Sequence, residues 1–204
     1  MTNHRVTSQG SPVISSFLQK KKKRWKTKDI LVAGMIAVVF AFVQVGATYA
    51  FMAMASSVGP AYARLLNGFW FMSGFMALTI IRKPGIGFVA QAIAGLVMTP
   101  LTPFGIMILF GTVLNGIFTE LIFLLTRYKR YSYPVMTVGM SVLSLVYTLF
   151  EYGPSGYGGL ALPVQIGILA SSVVSGGVCG WLCKRLTESL LKTGMLSGYT
   201  NVDS

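Results

Sequence analysis

The sequence predicts an all-α membrane protein, with six transmembrane helices in one bundle and both termini on the cytoplasmic side. Three observations predict it. The chain has 204 residues, of which 53% are hydrophobic and 11% charged, too apolar for an ordinary soluble domain. Long uncharged stretches alternate with short polar or Pro/Gly-rich breaks. Finally, of its 17 Lys and Arg residues, all but Arg64 fall where a six-helix topology puts the cytoplasm. Lys20 to Lys23, Arg24, Lys26 and Lys28 precede the first span, with Arg5 upstream. Arg82 and Lys83 follow the second, Arg127, Lys129 and Arg130 the fourth, and Lys184, Arg185 and Lys192 the sixth. Basic residues kept in short cytoplasmic segments set orientation, so the pattern supports both the helix number and its direction.

Residues 1–28 read as a basic cytoplasmic tail, disordered, whose first twenty residues lack the apolar core of a cleaved signal. A six-helix transmembrane domain is expected over 29–185, and a cytoplasmic tail over 186–204. Ile30 to Met54 carries no charge over 25 residues, enough to cross a hydrocarbon core of about 30 Å. Gly59-Pro60 turns the chain outside, and a second span runs from Ala61 to Ile81. Pro84 to Thr119 holds 36 uncharged residues, too many for one crossing. Thr99-Pro100-Leu101-Thr102-Pro103 divides it, because proline denies helix continuation. The third span is therefore Pro84 to Met98 and the fourth Phe104 to Thr126. A fifth runs from Pro134 to Tyr152, a Gly-rich outside loop follows, and the sixth is Leu160 to Cys183. The third is short and rich in Gly and Ala, which suits close packing inside a bundle; re-entry without crossing is its alternative.

Several function classes drop out. There is no G-x-x-x-x-G-K-[ST] phosphate cradle, the one histidine is His4 in the tail, and no Ser/His/Asp set exists, so no catalysis, metal site or cofactor is expected. A net charge of +12 is dealt out as flanks between apolar spans, which points to anionic lipid headgroups rather than nucleic acid. Cys179 and Cys183, four apart on one helical face, read as packed thiols.

What carries chemistry is the set of polar residues in an apolar matrix. Two carboxylates lie within spans: Glu151 near the outer end of the fifth, and Glu120 about 7 Å to the cytoplasmic side of the centre of the fourth. Glu120 serves either a ligand or a hydrogen bond to a neighbouring helix, and Glu151 either a ligand or the wet interface. Candidate ligand-binding residues are Glu120, Asn115, Trp70, Asn67, Gln91, Tyr147, Glu151 and Tyr157, with Gln44, Tyr49 and Gln165 as further polar groups. Aromatic faces beside a carboxylate suit a flat cationic or heteroaromatic ligand, although the same rings equally suit core packing or an interface belt. Arg64, the basic exception, falls at the outer mouth. Two small-residue stripes also stand out: Ala33, Ala37 and Ala41 in the first span, and Ser172, Gly176 and Gly180 in the sixth. Each is either an internal packing seam or a partner-docking face.

Several elements together resemble the substrate-binding S components of energy-coupling-factor (ECF) vitamin transporters, specifically the YkoE-like group. They are Trp25-Lys26-Thr27-Lys28-Asp29-Ile30, Gly68-Phe69-Trp70-Phe71, Ile81-Arg82-Lys83-Pro84-Gly85, Asn115-Gly116 with Glu120, and Thr193-Gly194-Met195-Leu196. The resemblance implies a multi-pass protein of the cell membrane that captures thiamine or its hydroxymethylpyrimidine precursor from outside. It also implies docking, without an ATPase of its own, on a transmembrane coupling protein that carries two cytoplasmic ATPases. The Ala33, Ala37 and Ala41 stripe matches the docking element of that family in spacing and position. Gln91, Thr148 and Ser172 depart from what the resemblance implies in being neutral at depths where some members are expected to carry charge, which weakens the pull on a cationic ligand. A stand-alone carrier or channel, and a ligand-free structural subunit, remain as other readings.

Overall fold

The computed structural model describes residues 25–126, 128 and 131–192; the basic residues upstream of Trp25, the Arg127, Lys129 and Arg130 cluster and the Thr193-Gly194-Met195-Leu196 element lie outside them. Helices in chain order are α1 (Thr27–Ser57), α2 (Pro60–Ile81), α3 (Ile86–Met98), α4 (Ile106–Leu125), α5 (Tyr133–Glu151) and α6 (Leu162–Lys192), with a short 3₁₀ turn at Tyr157–Gly159. No strand occurs among the described residues. All but α3 are long and apolar enough to cross a membrane. With 13 residues, α3 reaches only about 20 Å. The sixth helix runs on to Lys192, beyond the predicted end at Cys183, so 186–192 continue the bundle rather than begin a tail. Thr187 near that end is buried.

The bundle is built around α2, which α1, α3 and α6 enclose. Its middle, Arg64–Phe71, is a 3₁₀ helix. That tighter winding alters backbone pairing, and neighbouring side chains meet the consequence. Ser175 Oγ donates to Leu65 O and accepts from Gly68 N, while Gln44 Nε2 donates to Phe69 O and Gln91 Nε2 to Trp70 O. Gly68 lets α6 come this close, since a Cβ there would lie 2.6 Å from Ser175 O.

Small residues set the helix seams. On α1 the buried stripe is Asp29, Ala33, Ala37, Ala41, Gln44 and Thr48, whereas Leu31, Met35, Val39 and Phe42 face outward. Ala33, Ala37 and Ala41 are each 0% exposed, which corrects the docking-face expectation. The absence of bulk on that stripe serves the packing of α1 on α2 and α3. The α6 stripe is also internal: a Cβ at Gly176 or Gly180 would collide with Met140 O or Met136 O of α5.

One end of the bundle closes through the residues that bear the family resemblance. Asp29 accepts from Lys26 N at 2.7 Å and pairs with Lys83, holding the start of α1 to the α2–α3 turn. Pro84 ends the helix run, and Trp25 Nε1 donates to its carbonyl at 3.1 Å. Gly85 has φ +88, and the Trp25 ring lies where its Cβ would be, so geometry and space both demand glycine.

Candidate functional site

At the opposite end, where α1 and α5 finish and α2 and α4 begin, the helices diverge around a cavity of about 320 Å³. That volume lies at the small end of the usual range for ligand sites. Phe51 comes from α1, Arg64 and Trp70 from the two ends of the 3₁₀ segment, and Tyr147 and Glu151 from successive turns of α5. Met107, Ile108, Gly111, Thr112 and Asn115 descend one face of α4, and Tyr157 comes from the α5–α6 loop. The eight-residue 3₁₀ stretch thus carries a cationic group at the mouth and an indole deeper in the wall.

Arg64 organises the mouth. It is 3% exposed, and its guanidinium pairs with Glu151 Oε2 at 2.7 Å. Nη2 donates to Tyr157 Oη at 2.6 Å and Nη1 to Asn67 Oδ1 at 3.2 Å. Its carbon centre lies 5.4 Å from the Phe51 ring centroid and 5.1 Å from that of Tyr157. A buried charge is tolerable only when paired and hydrogen-bonded, and the Arg64 guanidinium is both. Asn67 in turn donates to Ser144 Oγ at 2.7 Å, which fixes the base of this network to α5.

Trp70 makes the second wall. Its Nε1 donates to Thr48 Oγ1 at 3.2 Å, and its ring meets Phe51 edge-on at 5.4 Å. Gln44 and Gln91 both bond its carbonyl. The indole is therefore held from behind by α1 and α3.

Of the residues expected to bind ligand, the structure brings Trp70, Asn115, Tyr147, Glu151 and Tyr157 to one cavity. Asn67 and Gln91 sit behind it, bonding Arg64 and Trp70 respectively. Glu120 is not there. Its Oε1 accepts from Gly87 N at 2.8 Å and Phe88 N at 3.4 Å, and Oε2 accepts from Tyr128 Oη. This carboxylate caps the start of α3, where free amides and the helix dipole favour a negative charge. Among the other polar candidates, Tyr49 donates to Leu101 O and ties α1 to the α3–α4 turn. Gln165 accepts from Tyr152 and donates to Leu160 O, bracing the loop that carries Tyr157. Sequence reasoning missed Phe51 and the α4 face above Asn115. Stepping back by four from Asn115 to Gly111 and Met107 was the available signal, since those positions share a helical face.

Comparison with known proteins agrees with this architecture. Residues 28–147 match the family model described as the permease component of an ABC-type cobalt transport system. The chain is 36% identical over 182 residues to the putative HMP/thiamine permease protein YkoE of Bacillus subtilis (strain 168), covering 86% of this chain and 89% of that one. The crystal structure of an S component of an ECF transporter superposes with a TM-score of 0.81 at 33% identity, covering 86% of this chain and 90% of the other. Relatives at this level over nearly the whole length carry both the fold and the membrane setting: this chain belongs to the YkoE-like S components of ECF transporters and is a multi-pass membrane protein.

Proposed function

We propose that the cavity is the capture site of a vitamin importer, taking hydroxymethylpyrimidine or thiamine, or a closely related small nutrient, from outside the cell. The observation that carries this reading is a ligand-sized cavity in a membrane bundle, walled by Trp70, Phe51 and Tyr147 and edged by the Arg64–Glu151 ion pair. The relative named for HMP and thiamine supports the substrate class. Six spans with cytoplasmic termini are part of the proposal: Lys26, Lys28, Arg82, Lys83, Lys184 and Arg185 gather at the end away from the cavity, which turns the cavity outward. In that topology α3 crosses together with the Thr99–Pro103 turn that extends it. Delivery to the cytoplasm then depends on a transmembrane coupling protein and two ATPases, docked elsewhere than on the buried Ala33, Ala37 and Ala41.

A cobalt cargo, which the family model's description suggests, finds no donor set here. Among the described residues no three His, Cys, Asp or Glu side chains cluster, and the one cavity carboxylate is bonded to Arg64.

The test is equilibrium binding of both pyrimidine compounds to purified protein and to Gly111→Leu. A Cβ at Gly111 would already sit 3.4 Å from Tyr147 Oη, so a leucine there projects into the cavity. Saturable binding by the unmodified protein and its loss in the variant are expected. Saturable binding that survives in Gly111→Leu would place the site elsewhere.

A further inference from the structure

One polar group at the cavity floor has needs that the protein leaves unmet. Asn115 is 3% exposed and lines the cavity, and its Oδ1 is buried without a hydrogen-bond partner. Asn67 provides the contrast. It is fully buried one layer behind, and both ends of its amide are bonded, Oδ1 by Arg64 and Nδ2 to Ser144. Buried amides in folded proteins are paired, and an exception at a cavity wall points to a missing partner.

Packing keeps Asn115 in this position. The next residue, Gly116, lies against α3, where an added Cβ would come within 3.0 Å of Phe88 Cα and 3.2 Å of Gln91 Cβ. One turn earlier, Thr112 packs on Gly95 of the same helix. The α3–α4 seam therefore fixes the rotation of α4, and the Asn115 amide faces the space beside Trp70 and Tyr147.

A side-chain amide offers an acceptor beside a donor in one plane. Its complement is an N–H beside a ring nitrogen, the pairing by which asparagine reads the edge of adenine. The cavity's charged groups are engaged with each other, Glu151 by Arg64 and Arg64 by Tyr157. We propose that Asn115 is the specificity-determining residue of the cavity, reading the amino edge of a planar aminopyrimidine stacked among the aromatic walls. This rests on the substrate reading above and adds the chemical edge that is recognised.

The experiment compares hydroxymethylpyrimidine, which is an aminopyrimidine, with its analogue bearing hydrogen in place of the amino group. Dissociation constants are measured for the unmodified protein and for Asn115→Leu, with Asn115→Ala as a second variant should the leucine disturb folding. For the unmodified protein the analogue is expected to bind about tenfold more weakly, the effect of one lost hydrogen bond with a buried partner left unpaired. In the variants the two compounds bind alike. The ligand-free Asn115→Leu protein melts no lower than the parent, because it loses an unpaired acceptor rather than a bond, whereas a structural role would lower it. Equal discrimination by parent and variants would overturn the role of Asn115 and leave the pyrimidine reading standing. No binding of either compound to the parent would overturn the underlying reading instead.

Discussion

Glu120 and Glu151 are both carboxylates within apolar helices, yet the two ends of the bundle use them in opposite ways. At the end that gathers the basic residues, Glu120 is consumed by backbone amides of α3 and by Tyr128. Around it Asp29 pairs with Lys83, Trp25 covers Gly85, and Arg82 stands 5.0 Å over the Tyr131 ring. This end is sealed. At the other end Glu151 keeps 30% of its side chain exposed, meets Arg64 through one oxygen, and borders an open cavity. The difference teaches that depth in the membrane does not assign function to an acidic residue. What assigns it is whether the fold has already met its hydrogen-bonding needs.

The strongest way to break this comparison is at Arg64. Removing it in Arg64→Ala leaves Glu151 without its charge partner and Asn67 and Tyr157 without theirs. A loss of about 3 kcal/mol in ligand binding is expected, roughly a hundredfold in Kd, accompanied by a lower melting temperature. Calorimetric titration beside a thermal melt reads both. A stability change with intact binding would deny Arg64 its place at the mouth.

The matching change at the sealed end is Lys83→Met. Asp29, 0% exposed, then remains as a buried carboxylate without that partner. Destabilisation of about 2 kcal/mol is expected, a discount from a fully buried pair because Asp29 retains the Lys26 amide. Ligand affinity stays at the parental value. A weakened Kd at unchanged stability would mean that the two ends are coupled.

A smaller effect follows from the tyrosines outside the helices. Burial pushes the Tyr131 hydroxyl up to about 12, with the Arg82 charge opposing and the Glu120 charge assisting. Burial and the Glu120 hydrogen bond also raise Tyr128. A group whose folded value is raised stabilises the fold fully below its unfolded value near 10. That contribution is lost as pH climbs through the folded value. Melting temperature is therefore expected to fall between about pH 10 and 12, and less steeply in Tyr131→Phe. Near neutrality Tyr131→Phe is neutral or slightly stabilising, because the Tyr131 hydroxyl is buried without a partner. Identical alkaline profiles for parent and variant would contradict the assignment.

Much of the fold was legible because its causes are local. Uncharged runs, Pro84, Pro100 and Pro103 mark where helices stop, and the described helices follow the predicted spans with shifted ends. The α6 stripe was legible as a face of close approach because Gly176 and Gly180 recur at helical spacing, though not that α5 fills it. Three features were not, and each depends on a partner distant in the chain. The 3₁₀ stretch is held by Gln44, Gln91 and Ser175 from three other helices, and nothing within Arg64–Phe71 announces it. Glu120 could be placed in depth from the sequence, but not opposite the first turn of α3. Ala33, Ala37 and Ala41 look the same in sequence whether they serve a partner or the bundle itself, and burial alone distinguishes the two. The site was half legible for a similar reason. Trp70, Asn115, Tyr147, Glu151 and Tyr157 were named because polar and aromatic residues stand out in an apolar chain. Phe51 was invisible because apolar wall residues do not, and Met107 and Gly111 could be reached only through their helical register with Asn115.

The most direct test sets the two carboxylates against each other. Hydroxymethylpyrimidine is titrated into the parent, Glu151→Gln and Glu120→Gln proteins, with a thermal melt of each. The account predicts weaker binding for Glu151→Gln, together with a lower melting temperature because the buried Arg64 loses its charge partner. For Glu120→Gln it predicts parental affinity with a lower melting temperature, from about 1 kcal/mol of lost charge-assisted bonding at the start of α3. Weakened binding in Glu120→Gln with none in Glu151→Gln would contradict it.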